Sequence, residues 1–444
     1  MVMTDLPADL PGTSGGEAPP ASPHRDLFLE TAATLGARIC RDALWGGGVC
    51  NWIGFSMESL DGRWRHVHRA YGGELYGGTS GIALFLARLH AATGERIFKR
   101  TALGAIRHAL EHGAEEIPPL SRIGAYSGWT GLADAALQIA ALLGEEPLRA
   151  PALAMLEEAA GGDTGRNFDL LAGCAGAIPL LLRARGIHGG PEPLLEAAVV
   201  LGDRLLEVAA RDDAGWSWGE YGMPGVKQKG NLLGFSHGAG GIGWALLELH
   251  HATGEARFRE AGEGAFQYER HWFDAEHGNW PDLRDPEVAG SAAPATDAPA
   301  FMTAWCHGAA GLGLSRLRAW ELSGDEETRQ EAEVAVATTL ENLRGGTEMS
   351  QTNDCLCHGR GGNCETLIYG AEVLGRPDWL RRAEEIGLQE IEACAAQRTP
   401  WPCGTYGAVE VPGLLLGLAG IGYFYLRLAD PAGTPTVLIP LPEG

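Results

Sequence analysis

The sequence predicts an all-α fold, an (α/α) toroid (double ring) of seven inner/outer helix pairs. Seven segments share one pattern, in which a glycine-rich turn leads into an apolar helix of about three turns that ends at a second glycine. The two glycines are 13 positions apart in six segments and 10 in the third. The segments begin at Gly81, Gly131, Gly176, Gly241, Gly311, Gly362 and Gly420, and they close at Gly94, Gly144, Gly186, Gly254, Gly324, Gly375 and Gly433.

A longer amphipathic helix follows most closing glycines, for example over 95–112 and 325–343. Its charged face is suited to solvent and its apolar stripe to burial. The segment 25–43 predicts one more such helix before the first repeat. Because the first and last inner helices are as apolar as the others, without polar capping repeats, a closed ring is favoured over an open solenoid. The inner helices then point the same way, and the turns before them meet at one rim.

The chain divides into a disordered tail over 1–24, one toroid over 25–432 and a C-terminal tail over 433–444. Two inserts, 211–233 and 274–300, are rich in Gly, Pro and Trp, which predicts loops or short strands. Long loops on one face of a repeat array usually border the binding surface. The alternative is that these inserts only fill space.

Composition excludes several classes of partner. The 444 residues carry a formal net charge of -23, which argues against nucleic acid or an anionic membrane surface. The most apolar run, 411–426, contains Pro412 and several glycines, so it predicts a buried helix rather than a membrane span. No secretory signal is evident, and the nine cysteines are an odd number without the spacing of a disulfide scaffold. A reduced, cytoplasmic protein with metal-binding thiols is expected.

Four of the seven turns carry reactive side chains, whereas the first, second and seventh carry no metal-ligating group. The third turn reads FDLLAGCAG, the fourth GFSHGAGG, the fifth AWCHGAAG and the sixth CLCHGRGG. Since the turns converge on one rim, their reactive groups are expected to lie together. In chain order these groups are Asp169, His237, Cys306, His307, Cys357 and His358.

Two Cys-His-Gly turns at equivalent repeat positions indicate a zinc site. Catalytic zinc takes three protein ligands and leaves the fourth position open, and Cys306, Cys357 and His358 form such a set. A structural Cys2His2 site with His307 as the fourth ligand is one alternative. The other is a pair of buried thiols beside hydrogen-bonded histidines.

The seven repeats and the motifs GFSHGAGG, WCHGAAGLGL and CHGRGGN resemble the lanthionine synthetase C-like family over roughly 25–430. The resemblance implies an (α/α) double toroid and zinc held by Cys306, Cys357 and His358. It implies His237 as acid/base and Asp169 as a supporting carboxylate. The turns, with CNWIG and LYGGTSGIALFLARL, are most similar to the cyclase domain of bifunctional class II synthetases. The dehydratase region of those enzymes is not in this sequence, so a dehydrated precursor peptide, with a separate dehydratase, is the expected partner.

The implied reaction adds a peptide cysteine thiol to the β-carbon of dehydroalanine or dehydrobutyrine. Zinc removes the proton of the thiol, and His237 returns a proton to the enolate carbon. Asp169 orients an imidazole or holds the substrate amide, unless it only caps a helix. His307 stabilises the enolate oxygen or only packs. Trp305 and Trp244 are expected to line the site, whereas Cys174, Cys355 and Cys364 are expected to pack between helices.

Two positions depart from the pattern of stand-alone class I cyclases. Those enzymes carry Tyr where this sequence has His307, and Arg where it has Met302. Two rival functions remain open, a thiol transferase that adds glutathione to dehydroamino acids and a non-catalytic scaffold that binds a peptide or a dehydratase. A prenyltransferase toroid is disfavoured by the paired Cys-His-Gly turns and by seven rather than six repeats.

Overall fold

The computed structural model describes residues 22–60, 63–165, 167–219, 230–284, 300–345, 352–396, 399–405 and 409–442. The segment predicted to be a disordered N-terminal tail, 1–24, lies outside these residues except for its last three positions.

The described residues form fourteen α-helices in two concentric rings. Neighbouring inner helices pack against one another in a closed cycle that runs from α2 through α14 and back to α2. The predicted toroid of seven helix pairs is therefore confirmed. The inner helices are α2 (Thr79–Thr93), α4 (Trp129–Leu143), α6 (Cys174–Gly186), α8 (Ala239–Thr253), α10 (Ala309–Ser323), α12 (Arg360–Leu374) and α14 (Leu418–Ala429). The outer helices are α1 (Arg25–Arg41), α3 (Arg96–His108), α5 (Arg149–Gly161), α7 (Pro193–Val208), α9 (Ala256–Trp272), α11 (Glu326–Asn342) and α13 (Pro377–Ile391).

The first helix of the chain closes the double ring. Each outer helix from α3 to α13 packs on the inner helix immediately before it in sequence, but α14 has no helix after it and packs on α1 instead. Phe28 of α1 is fully buried, and its ring centroid lies 6.0 Å from that of Tyr425 on α14. The seventh outer position is thus filled from the other end of the sequence.

Closing glycines end five of the inner helices as predicted, with φ between +64° and +73° at Gly94, Gly144, Gly254, Gly324 and Gly375. This left-handed conformation is the one that glycine adopts without a steric penalty. The other two helices differ. Helix α6 includes Gly186, and α14 stops at Ala429, four residues before Gly433. Pro431 explains the early end of α14, because a proline excludes the preceding residue from helical geometry.

The glycine that opens each repeat is required by close packing. At all seven positions a Cβ atom would come less than 3.0 Å from the carbonyl oxygen of the residue six positions earlier. That carbonyl belongs to the turn before the helix, so the turn folds back onto the first helical turn. The regular spacing of these glycines in the sequence follows from this contact, because no larger residue fits there.

Gly131→Ala is therefore expected to destabilise the protein by about 3 kcal/mol, because the new methyl group meets the rigid carbonyl of Ala125. Gly161→Ala is the matched control, since nothing lies within 4 Å of a Cβ at this position in α5. There the substitution is expected to stabilise the helix by up to about 1 kcal/mol. Urea unfolding measures both changes, and equal effects of the two substitutions would contradict the packing argument.

The seven turns before the inner helices, here called the rim turns, are 72–78, 122–128, 167–173, 232–238, 302–308, 353–359 and 411–417. Backbone hydrogen bonds join them in a cycle at one equivalent residue per turn. Each amide donates to the carbonyl of the next turn in six cases, from Tyr76 to Tyr126, Tyr126 to Leu171, Leu171 to Ser236, Ser236 to Cys306, Cys357 to Leu415 and Leu415 back to Tyr76, at 2.8–3.3 Å. Among the described residues, the link between Cys306 and Cys357 is the one that lacks this bond.

The fifth rim turn differs from the others in its backbone. Its last residue, Gly308, has φ +81°, whereas the corresponding glycine of the sixth turn, Gly359, has φ -121°. Asn279 from the second insert holds this geometry, because its side chain donates to the Met302 carbonyl and accepts from the Ala309 amide. The insert thus shapes the turn at which the hydrogen-bond cycle is interrupted.

The strands are short antiparallel hairpins outside the rings. They pair β1 (Leu44–Gly46) with β2 (Val49–Asn51), β3 (Ile53–Leu60) with β4 (Arg63–Ala70), β5 (Ala210–Asp212) with β6 (Gly215–Ser217), and β7 (Pro281–Asp282) with β8 (Ala300–Phe301). The last two strand pairs lie in or next to the described parts of the two inserts, where the prediction of loops or short strands holds, whereas residues 220–229 and 285–299 of the inserts lie outside the described residues.

The segment predicted to be a C-terminal tail packs inside the structure where it is described. Leu438 and Ile439 are fully buried. Tyr126 donates its hydroxyl to the Val437 carbonyl, and the Trp305 indole donates to the Leu438 carbonyl, both at 2.8 Å. The segment therefore contacts the second and the fifth rim turns through these two hydrogen bonds. In the described part of the chain, no helix combines the length and apolar character that a bilayer crossing requires.

Candidate active site

Two rows of equivalent residues, one from each rim turn, build the rim. The residues five positions before each repeat glycine are Tyr76, Tyr126, Leu171, Ser236, Cys306, Cys357 and Leu415, and these are the residues of the hydrogen-bond cycle. One position later stand the three histidines His237, His307 and His358, on consecutive turns. Cysteines and histidines predicted to converge therefore occupy two adjacent levels of one rim.

Cys306 and Cys357 face each other at the interruption of the cycle, where their side chains hydrogen-bond. Of the pair, Cys306 ionises more readily, because the Cys357 thiol donates to it and lowers its pKa, with a further contribution from the nearby Arg284 guanidinium. The pKa of Cys357 is raised well above its ordinary value, first by that same hydrogen bond and then by burial. The structure thus holds two thiols in contact, and the pKa of Cys306 is the lower of the two.

His358 directly follows Cys357 and is half-buried, and desolvation lowers its pKa. One ring nitrogen donates to the Gly404 carbonyl, the contact that commonly orients a zinc-ligating histidine. In the described residues, Cys306, Cys357 and His358 do not bring three ligand atoms within 4.8 Å of one another. The thiol pair and the oriented imidazole fit the chemistry of a zinc set, and the ring of His358 must approach the sulfurs to complete it.

Another group in the described residues does meet that distance criterion, namely Asp354, Glu390 and Cys394. Its carboxylates already share a cation, because Arg360 forms ion pairs with both of them. Asp354 has a pKa raised to about 7, chiefly by burial. A guanidinium between the carboxylates opposes a second cation there, so we interpret this cluster as a buried ion pair that holds the sixth rim turn.

His237 and Asp169 form the second reactive pair. The His237 Nδ1 lies 2.8 Å from Asp169 Oδ2, and both side chains are about nine-tenths buried, with 9% and 13% exposure. Asp169 also accepts the Ala172 amide at 2.7 Å, so it caps its own turn while it orients the imidazole. Asp169 therefore contacts an imidazole, as one of the alternatives expected, but it does not cap a helix, because Gly173 is the N-cap residue of α6 and no side chain caps that helix. With Nδ1 directed at the carboxylate, Nε2 is the ring atom suited to proton exchange.

The turn that carries His237 is held by Glu269, a fully buried residue of the outer helix α9. Its carboxylate accepts the amides of Gly234 and Gly240 at 2.9 and 2.8 Å and pairs with Arg316 at 3.1 Å. A side chain of an outer helix thus holds the rim turn that carries His237.

His307 lies against His237, with ring centroids 5.7 Å apart, and is 2% exposed. Burial first, and then the Arg284 charge, lower its pKa to about 3, so the ring stays neutral at ordinary pH. One ring nitrogen donates to the Leu233 carbonyl, and the buried Nε2 makes no hydrogen bond. A neutral imidazole with its single N–H engaged offers an acceptor to the site and no donor.

Tyr76 is a site residue that the sequence analysis did not select. It stands in the first rim turn at the level of the two cysteines, and its hydroxyl hydrogen-bonds the Cys357 side chain. Burial, followed by this contact, raises its pKa well above the ordinary value. The available signal was positional, because Tyr76 precedes its repeat glycine by the same five residues as Cys306 and Cys357.

Tyr76→Phe is expected to weaken zinc binding by about 10-fold or more, because hydroxyls that hydrogen-bond a metal ligand support its affinity at the level of 10–100-fold. Competition with a chromogenic chelator measures this affinity. Tyr126→Phe is the matched control, since Tyr126 occupies the equivalent position but donates to Val437 instead. An unchanged affinity in Tyr76→Phe, or an equal loss in Tyr126→Phe, would contradict a specific role.

The predicted tryptophans and the remaining predicted cysteines are fully buried. Trp305 and Trp244 are fully buried, and both rings pack on Phe235 at centroid distances of 6.3 and 5.5 Å. The two tryptophans are therefore part of the packed interior and are not exposed at the surface of the site. Cys174, Cys355 and Cys364 are fully buried, as expected of packing thiols, and all nine cysteines are unpaired.

The fold and the rim define an (α/α) toroid with a thiol pair and a His-Asp pair at one end. Residues 70–439 match the family described as lanthionine synthetase C-like protein, and the chain belongs to this family. The chain is similar to the lacticin 481/lactococcin biosynthesis protein LcnDR2 of Lactococcus lactis subsp. lactis, with 23% identity over 223 residues, 48% of this chain. That match spans 22% of the relative's length. Nisin cyclase has a similar structure, with a TM-score of 0.55, 17% identity and coverage of 82% of this chain and 90% of that one.

Proposed function

We propose that the protein is a zinc-dependent lanthionine cyclase, which adds cysteine thiolates of a dehydrated precursor peptide to dehydroalanine or dehydrobutyrine. The observation that carries the proposal is the contact of Cys306 with Cys357 at the interruption of the rim hydrogen-bond cycle, beside the His237–Asp169 pair. A nucleophile-activating group and a proton-exchanging group then act from neighbouring turns. The family membership and the names of the two relatives support this choice.

In this proposal Cys306, Cys357 and His358 hold zinc. Zinc held by these residues would lower the pKa of a bound substrate thiol and so supply a thiolate nucleophile. Tyr76 supports Cys357 through its hydroxyl. His237, oriented by Asp169, protonates the α-carbon once the sulfur–carbon bond has formed. His307 and the tryptophans beneath it exclude water from the reacting groups, which strengthens the electrostatic interactions there.

We further propose that the protein acts in the cytoplasm on a peptide dehydrated by a separate enzyme. Nine unpaired cysteines suit a reducing compartment. The second insert supplies Asn279 to the fifth rim turn, so it stands at the border of the site and is available to contact a peptide.

The test is a reaction of the metal-loaded protein with synthetic peptides that contain one dehydroalanine and one cysteine at varied spacing. Ring formation leaves the mass unchanged and consumes the thiol, so alkylation of remaining thiols followed by mass spectrometry detects it. Addition of glutathione as a competitor distinguishes the thiol-transferase function, which would give the glutathione adduct in place of the ring. Absence of both products would contradict the proposal.

A further inference from the structure

An open groove runs between α3 and the hairpin of β1 and β2, on the outside of the double ring. Its volume is about 440 Å³, and it is lined by Trp45, the Gly46–Gly48 turn, Arg100, Leu103 and Arg107. Gly47 and Gly48 have φ +60° and +90°, and nothing lies within 4 Å of a Cβ at either position. This wall of the groove is therefore bare backbone, which leaves room for another chain.

Arg96, Arg100 and Arg107 form a row on one face of α3. Their spacing of four and seven residues places them on the same side of the helix, and all three are exposed. In the described part of the chain none of them forms an ion pair, whereas other surface arginines are paired, as Arg185 is with Glu192. The groove and this row, here called the arginine groove, are an unpaired positive surface on a chain whose formal net charge is -23.

Trp45 shapes the arginine groove. Its ring packs on α3 at Gly104, where a Cβ would come within 2.6 Å of the indole. The Arg100 Cζ lies 4.8 Å from the ring centroid, so the guanidinium is held over the aromatic face. Trp45 is nevertheless 40% exposed. An exposed aromatic ring beside a guanidinium offers a partner both apolar contact and charge-assisted hydrogen bonds to a carboxylate.

The row of arginines leads towards the rim. Arg107 directly precedes His108, at which α3 ends, and Nδ1 of His108 lies 3.2 Å from Oγ1 of Thr79. Thr79 directly follows the first rim turn, which contains Tyr76. A chain that leaves the row at Arg107 is therefore next to the rim that carries the reactive groups.

The dimensions of the row suit an extended peptide. From Arg96 to Arg107 the helix rises about 16 Å, which equals about five residues of extended chain. A small anion spans only part of this length, whereas several carboxylates along one peptide segment reach the whole row. Resting on the proposed cyclase function, we propose that the arginine groove binds an acidic segment of the precursor peptide, outside the part that forms the rings.

The experiment measures, by fluorescence anisotropy, how tightly the zinc-loaded protein binds labelled synthetic peptides. The peptides carry one dehydroalanine, with serine in place of cysteine so that no ring forms, and an added segment of five Glu, Gln or Lys residues. Wild type is expected to bind the Glu peptide about 10-fold or more tightly than the Gln peptide, because charge-assisted pairs form with the row. Added salt is expected to reduce this preference, since the row is exposed.

Arg100→Glu/Arg107→Glu is expected to lose the preference for Glu and to favour the Lys peptide instead. Arg107→Glu alone, which removes no contact within the described residues, is expected to shift the preference in the same direction by a smaller factor. The matched control is Arg185→Glu/Arg381→Glu, which changes the net charge equally on α6 and α13 and is expected to keep the wild-type preference.

Equal binding of the Glu and Gln peptides by wild type would overturn the proposal. So would a preference that persists in Arg100→Glu/Arg107→Glu, or one that the control variant loses to the same extent, because the overall charge would then set it. Because binding needs no turnover, the two proposals are tested separately. A wild-type preference for Glu without ring formation from any cysteine-containing peptide would support the arginine groove and overturn the cyclase function. Ring formation without the preference would do the reverse.

Discussion

Cys306→Ala and Cys357→Ala are each expected to release zinc and to reduce ring formation below detection. Each substitution removes one of the two proposed thiol ligands and the hydrogen bond between them. Since even an outer partner of a ligand is worth about 10–100-fold in metal affinity, loss of a ligand is expected to cost more than about 100-fold. Metal analysis after dialysis and thiol consumption by the peptide measure the two effects.

Cys364→Ala is the matched control for these substitutions. Cys364 is also fully buried, but it lies within helix α12 and not in a rim turn. It is expected to keep its zinc and its activity, with a modest loss of stability. A Cys306→Ala/Cys357→Ala double variant that binds no zinc and still cyclises at the wild-type rate would exclude the metal from the reaction.

His237→Ala is expected to lower the rate of cyclisation about 100–10,000-fold while zinc binding is retained, because a positioned proton donor contributes that factor and His237 is not among the proposed ligands. The enolate then takes its proton from water on either face. A mixture of configurations at the α-carbon is therefore expected in place of one, and hydrolysis followed by chiral chromatography measures it.

Asp169→Asn tests the same pair from the other side. The amide keeps the Ala172 cap and the size of the side chain, but it no longer presents a carboxylate to His237. A loss of rate in the same direction is expected, again with zinc retained. His250→Ala, at the far end of α8, is the control, since His250 contacts only the Glu255 carbonyl among the bonds described. Full rate and a single configuration in His237→Ala would assign the proton to another group.

The architecture was predictable because its cause is local. Each repeat glycine is needed by a contact with the turn six residues before it, so the spacing of glycines carries the number and direction of the inner helices. The same register brought Cys306 and Cys357 together and placed His237 beside them. The position of a residue in its rim turn follows from its distance in sequence to the repeat glycine. This distance can be read without knowing how the loops fold.

Other parts of the site depend on contacts that no local pattern reports. Tyr76 acts on a cysteine that follows it by 281 positions in the numbering, and an aromatic residue in a turn is ordinarily a packing residue. Arg284 contacts Met302 of the fifth rim turn next to the pairing of β7 with β8. The ring of His307 hydrogen-bonds the Leu233 carbonyl, which belongs to another turn. Each of these requires the path of the chain in three dimensions.

The pairing of α1 with α14 has a consequence for how the protein is made. Arg38 on α1 forms an ion pair with Glu410, 372 residues later, so the ring cannot close until nearly the whole chain has been synthesised. At about 5–20 residues per second, the face of α1 that packs on α14 waits on the order of 20–70 s for its partner, whereas α2 and α3, which also contact α1, are made early. The last turn also supplies Leu415, which bonds both Cys357 and Tyr76. The hydrogen-bond cycle around the reaction centre is therefore completed only after this late segment has been synthesised.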